Sequence, residues 1–111
     1  MSFYIVSEYT LTLWSSRPTS DLGGRIAVAC ILLYEEGTGP YRGRAFFYPD
    51  GAPLKEPEES GGGMITLRFN LCQFHPIMEM LRTEQPVYLY YYSPGNAGLK
   101  SGKEPVGEEE G

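Results

Sequence analysis

Residues 64–93 read MITLRFNLCQFHPIMEMLRTEQPVYLYYYS, and the spacing of their apolar side chains changes twice. From Met64 to Phe69, Ile65, Leu67 and Phe69 alternate with Met64, Thr66 and Arg68, the two-residue period of a strand with one face on a core. From Leu71 the interval becomes three and four: Leu71, Phe74, Ile77, Met78 and Leu81 make one stripe on a helix, and Gln73, Glu79 and Arg82 stay off it. At Val87 the period returns to two, with Val87, Leu89 and Tyr91 on one face and Tyr88, Tyr90 and Tyr92 on the other. Strand, helix and strand follow with almost no loop, so the helix stripe is expected on the Ile65/Leu67/Phe69 face. The tyrosine face is left toward water. The helix start has two readings. Asn70 and Gln73 have the spacing of an N-cap and capping box, which starts it at Leu71. Pro76 costs about 3 kcal/mol in a helix interior but little in the first turn, which argues for a start near Pro76. Pro86 ends the helix, because the residue before a proline is pushed out of helical angles.

Working outward, Ser2–Trp14 is a long strand with an unbroken alternation. Phe3, Ile5, Tyr9, Leu11 and Leu13 are expected on one side, and Tyr4, Val6, Glu8, Thr10, Thr12 and Trp14 on the other. Residues 15–24, SSRPTSDLGG, are turn chemistry and read as a loop. Arg25–Tyr34 is apolar on both faces, which predicts a central strand with a second layer supplied by a partner chain or by the tail. Residues 35–40 turn it into a hairpin with Tyr41–Tyr48, where Arg42, Arg44, Phe46 and Tyr48 share one face and Tyr41, Gly43, Ala45 and Phe47 the other. Residues 49–63, PDGAPLKEPEESGGG, carry three prolines and a glycine triplet and read as a disordered surface loop. The expected fold is therefore α+β: an antiparallel sheet of about five strands with one amphipathic helix on one face, in the order ββββαβ. Residues 1–93 form the domain and residues 94–111 a Gly/Pro/Glu-rich tail.

The 111 residues suffice for one core and leave no room for a second domain. The net charge of −5 is concentrated in the acidic loop and the tail, which lowers the expectation of nucleic acid without excluding a local basic surface. The first apolar run, Phe3–Val6, is too short for a leader, and no stretch reaches the length of a membrane span; a cytoplasmic protein that avoids membranes is expected. The two cysteines, Cys30 and Cys72, read as buried thiols. Cys72 and the lone histidine, His75, are three apart on the helix, the spacing of a thiolate–imidazole pair, but no third group orients them. One histidine and two distant cysteines make no zinc site, and the glycine triplet precedes a strand where a phosphate loop precedes a helix. No catalytic residue, metal or cofactor is expected, and the chain reads as a binding or assembly module with no enzymatic activity.

One constellation remains: Arg42, Arg44, Arg68, Tyr88, Tyr90 and Tyr92, placed by parity on the sheet face away from the helix. Tyrosine and arginine are favoured where proteins meet, so this face predicts a homodimer. Alternatively, rings that stack on bases beside arginines that meet phosphates suit single-stranded nucleic acid. The order of four strands followed by an amphipathic helix, over Ser2–Thr83, resembles the single-stranded-DNA-binding domains of the coactivator type called positive cofactor four, and small bacterial domains of unknown function with that architecture. The resemblance implies a curved sheet and a dimer. It assigns no role to any residue, and the strand Val87–Tyr92 lies beyond it.

Overall fold

Residues 1–16, 26–37 and 39–102 are described by the computed structural model. Strands β1 (Ser2–Leu13), β2 (Ala29–Glu35) and β3 (Gly43–Tyr48) are followed by the two-residue β4 (Glu58–Glu59) and by β5 (Ile65–Asn70). A single 3₁₀ turn (Leu71–Gln73) leads into α1 (Phe74–Thr83), and β6 (Val87–Ser93) and β7 (Asn96–Ser101) complete the chain of elements. All seven strands form one sheet in the order β4-β5-β3-β2-β1-β6-β7. The α+β character stands, but the sheet is mixed and larger than the five antiparallel strands expected. β3 and β5 run parallel, Gly43 opposite Ile65 and Phe47 opposite Phe69.

The two additional strands come from stretches whose composition argues against regular structure. Residues 49–63 are not a disordered loop. They are the crossover that parallel pairing of β3 and β5 requires, and within them Glu58 and Glu59 pair with Thr66 and Ile65 of β5. Residues 94–102, read as the start of the tail, turn back at Pro94–Gly95 and pair with β6, Leu99 opposite Leu89. The loop expected at 15–24 and the remainder of the tail, residues 103–111, lie almost wholly outside the described residues.

The helix start combines both readings. The 3₁₀ turn begins at Leu71, and α1 begins at Phe74, so Pro76 is the third helical residue. First-turn amides have no intrahelical acceptor, so the missing proline N–H costs nothing there. The expected capping box does not form: Asn70 makes no side-chain cap, and its Oδ1 is buried without a hydrogen-bond partner. Asp50 supplies the anion instead, its Oδ1 accepting from the Cys72 amide at 2.7 Å. On α1, Phe74, Ile77, Met78 and Leu81 face the core, with Phe74 edge-on to Phe47 at 5.1 Å between ring centroids.

β1 departs from the unbroken alternation. Val6 lies opposite Glu35 but Glu8 opposite Tyr34, so Ser7 is an extra residue, a β-bulge that reverses which side chains face inward. Before the bulge Tyr4 and Val6 pack on the core; after it Tyr9 does. Phe3 and Ile5, expected beside Tyr9, are turned outward and remain 50% and 52% exposed.

The bulge also marks where the sheet folds over itself. β2 pairs with the far half of β1 and β6 with the near half. β3 and β6 are three places apart in strand order, about 14 Å if the sheet were flat with strands spaced at roughly 4.8 Å. Yet a Leu89 methyl fills the space where a Cβ on Gly43 would stand. Tyr4 Oη donates to the Gly63 carbonyl at 2.8 Å, and Ser2 Oγ donates to the Glu59 carboxylate, tying the start of β1 to the β4–β5 turn. The β6–β7 flap thus lies across β3 and β5. The core of Ala29, Ile31, Leu33, Ala45, Phe47, Ile65, Leu67 and Leu89 is covered partly by α1 and partly by this flap.

Candidate functional site

The curl separates the six residues that parity places on one face. Leu89 touches Gly43 with its inner side, so Tyr88 and Tyr90 on the outer side of β6 point away from Arg44 and Arg68 on the outer sides of β3 and β5. They are on opposite outsides of a sheet folded around its core. Arg44 and Arg68 therefore do not share a face with Tyr88 and Tyr90.

Each arginine has a local role. Arg42 lies just before β3, where its Nε is 3.3 Å from Glu35 Oε1 and its guanidinium stands 5.2 Å from the Tyr4 ring centroid. Arg44 donates to Thr66 Oγ1 at 3.0 Å and covers the Phe46 ring. Arg68 is only 8% exposed at its side chain; it donates to the Glu56 carbonyl at 3.0 Å and lies 3.5 Å from Glu58 Oε1. Glu58 also meets Lys55 Nζ at 2.7 Å. The Lys55 ammonium first, and then Arg68, hold its carboxyl below the usual glutamate range against an opposing desolvation. These contacts pin the crossover to the sheet, which is why so polar a segment is ordered.

The tyrosines, by contrast, have gained neighbours that the sequence reading placed elsewhere. Phe3 pairs with Tyr90 and Ile5 with Tyr88 across β1 and β6. The Phe3 and Tyr88 rings stack at 4.9 Å, and Tyr90 leans on Tyr92 at 5.8 Å. Lys100 of β7 lies opposite Tyr88, its ammonium 5.7 Å from the Phe3 ring and 5.3 Å from Tyr90. Tyr88 and Tyr90 are half-buried by these contacts, whereas Phe3, Ile5 and Tyr92 (53%) keep about half of their surface in water. The result is an outward rank of large side chains across three neighbouring strands, β1, β6 and β7, ending at a sheet edge.

Phe3 and Ile5 were hidden from a sequence reading by the bulge, since nothing in FYIVSEYT marks Ser7 as the extra residue. An interior signal exists only in hindsight: Tyr4 and Val6 are the pair that continues Tyr9 once one residue is skipped.

Cys72 and His75 do not meet as a catalytic pair. Cys72 is exposed, correcting the expectation of a buried thiol; Cys30 is buried. Local desolvation and the Asp50 carboxylate push the Cys72 thiol up, the opposite of what a nucleophile needs. His75 is 85% exposed at its side chain and lies 3.9 Å from Glu79. Among the described residues there is no group of three or more His, Cys, Asp or Glu side chains that could hold a metal ion, and no helix is long and apolar enough to cross a membrane. No family model, curated protein or solved structure matches the chain.

Proposed function

We propose that this protein is an assembly module without catalytic activity, whose outward rank of Phe3, Ile5, Tyr88, Tyr90 and Tyr92 is buried by a second copy of the chain. The observation that carries the reading is the half-exposed state of Phe3, Ile5 and Tyr92 beside an open edge strand. Among the described residues β7 has β6 on one side only. Its outward backbone groups can pair antiparallel with the same strand of a second copy about a two-fold axis, which brings the two aromatic ranks side by side. Full burial of such a side chain is worth roughly 1.5–3 kcal/mol, so covering the exposed half of each contributes about 1 kcal/mol. Three per copy give roughly 6 kcal/mol for the pair before the costs of association, which points to a modest, concentration-dependent dimer.

Single-stranded nucleic acid suits this face less well. Stacking platforms for bases work inside a positively charged groove, and among the described residues Lys100 is the one cation against the rings, with Arg42, Arg44 and Arg68 committed elsewhere. The test is light scattering coupled to size exclusion over a concentration series. Wild type should pass from monomer to dimer. Phe3→Ser with Tyr92→Ser, both at exposed positions, should stay folded and weaken the dimer at least about tenfold, since each lost contact counts twice across the axis. A wild type that remains monomeric at millimolar concentration would overturn the reading, as would oligonucleotide affinity that falls steeply with salt and is lost in the same variant.

A further inference from the structure

A cleft of about 620 Å³ opens where β1 bulges, walled by Ile5–Thr10, by Tyr34 and Glu36 at the end of β2, and by the last turn of α1 with the Gln85–Val87 segment. It shares Ile5 with the aromatic rank but differs from it in chemistry. Leu81 and Val87 supply an apolar floor, Tyr9 and Tyr34 two half-buried rings, and Glu8, Glu36 and Glu84 three carboxylates. Among the described residues, no lysine, arginine or histidine lines it. Elsewhere Glu35, Glu58, Glu59 and Glu79 each have a basic neighbour, but Glu8, Glu36 and Glu84 have none among the described residues. The C-terminal end of α1 opens onto the same space, since Leu81 and the capping residue Glu84 are both in the wall. Free carbonyls at a helix C-terminus carry about half a negative charge and favour a cation. Volume, apolar floor, rings and unbalanced negative charge therefore agree: the size is that of small-molecule sites, which span roughly 300–1,000 Å³, and a cation over tyrosine faces is attracted by their quadrupoles.

We propose that this cleft binds a small organic cation, an amine or guanidinium carried on an apolar body, with the apolar part on Leu81 and Val87 and the charged head among Glu8, Glu36 and Glu84. The Ser7 bulge lies within the wall of the site, between Val6 opposite Glu35 and Glu8 opposite Tyr34.

The test uses the full chain, isotope-labelled, titrated by NMR with phenethylamine, with 2-phenylethanol and with phenylacetate. The amine should shift amides of residues 5–10, 34–36 and 81–87, with an affinity that falls as salt rises. The neutral alcohol should bind roughly tenfold more weakly, and the anion should not bind, because each exposed carboxylate contributes about a two- to fivefold preference. The variant Glu8→Gln, Glu36→Gln, Glu84→Gln changes only polar rim groups and should keep its native spectrum while losing most of the amine affinity. Equal binding of amine and alcohol, shifts that map elsewhere, or an unchanged affinity in the triple variant would overturn the proposal. So would a lysine-rich peptide that shifts these residues when phenethylamine does not, since the occupant would then be a protein. The dimer-weakening variant Phe3→Ser, Tyr92→Ser should bind the amine as wild type does.

Discussion

Replacing Gly43 by alanine tests the curl of the sheet with a single methyl group. Gly43 is buried at the start of β3, and its φ is not positive, so alanine is sterically allowed on the local backbone. Taken alone, that change stabilises by about 0.4–1 kcal/mol through the unfolded chain. The obstacle is tertiary. The added Cβ collides with one Leu89 methyl and lies 3.4 Å from the other and 3.4 Å from the Ile65 carbonyl oxygen. Leu89 is itself fully buried, so its methyl has little room to yield. Overpacking of this kind costs roughly 1–3 kcal/mol; the net expectation is a loss of about 1–2 kcal/mol, or roughly 5–10 °C in melting temperature for a domain near this size. Leu89→Ala alone should cost about 2–5 kcal/mol by leaving a cavity. In the double variant the new methyl at 43 enters that cavity, so the two losses should add to at least about 1 kcal/mol less than their sum. Urea unfolding followed by the fluorescence of Trp14 measures all four corners of the cycle. A Gly43→Ala protein as stable as wild type, with additive effects in the double variant, would show that β6 does not lie on β3 and would refute the folded-over sheet.

Two further perturbations report on the crossover and on the helix start. Glu58 has its carboxyl held low by Lys55 and Arg68, so its contribution to stability is complete above the ordinary glutamate value of about 4.3 and is lost as the pH falls through its lowered folded value; thermal melts between about pH 5 and pH 2 should fall less steeply in Glu58→Gln than in wild type. Cys72 is exposed yet its thiol is pushed up, so a disulfide reagent near pH 7.5 should label it more slowly than a free thiol of ordinary pKa near 8.5, Asp50→Asn should speed the reaction, and buried Cys30 should react only on unfolding.

Legibility in the sequence followed the range of the interactions. The faces of β5, α1 and β6 were readable because period two and period 3.6 are local, and Ile65, Leu67, Phe74, Ile77 and Leu89 lie where their spacing puts them. The sheet's two ends were not. Glu58–Glu59 and Asn96–Ser101 are strands because of what they pair with, and the composition of a proline- and glycine-rich segment carries no trace of a partner strand. The candidate face failed for a third reason. Parity assigns residues to a side of a strand, and a sheet that folds over itself turns one side into two opposite outsides. Arg68 shows this directly: its parity places it on the outer side of β5, where it lies beneath the crossover, bonded to Glu56 and Glu58. Phe3 and Ile5 were missed because a single extra residue at Ser7 inverts everything before it.

The division of β1 at Ser7 also sets an order of assembly. Residues 8–13 find their partner in β2 within about the next two dozen residues, whereas Ser2–Ile5 must wait for Tyr88–Tyr91, some eighty residues further along. Pairings of such different sequence separation form at different rates, the distant one last. While a ribosome is still adding those eighty residues, the uncharged run Phe3–Tyr4–Ile5 has no strand beside it, and such segments are prone to pair with other chains. The bulge lets the nascent chain begin a local hairpin without this segment, which stays outside the first structure to form until β6 arrives to cover one edge of it.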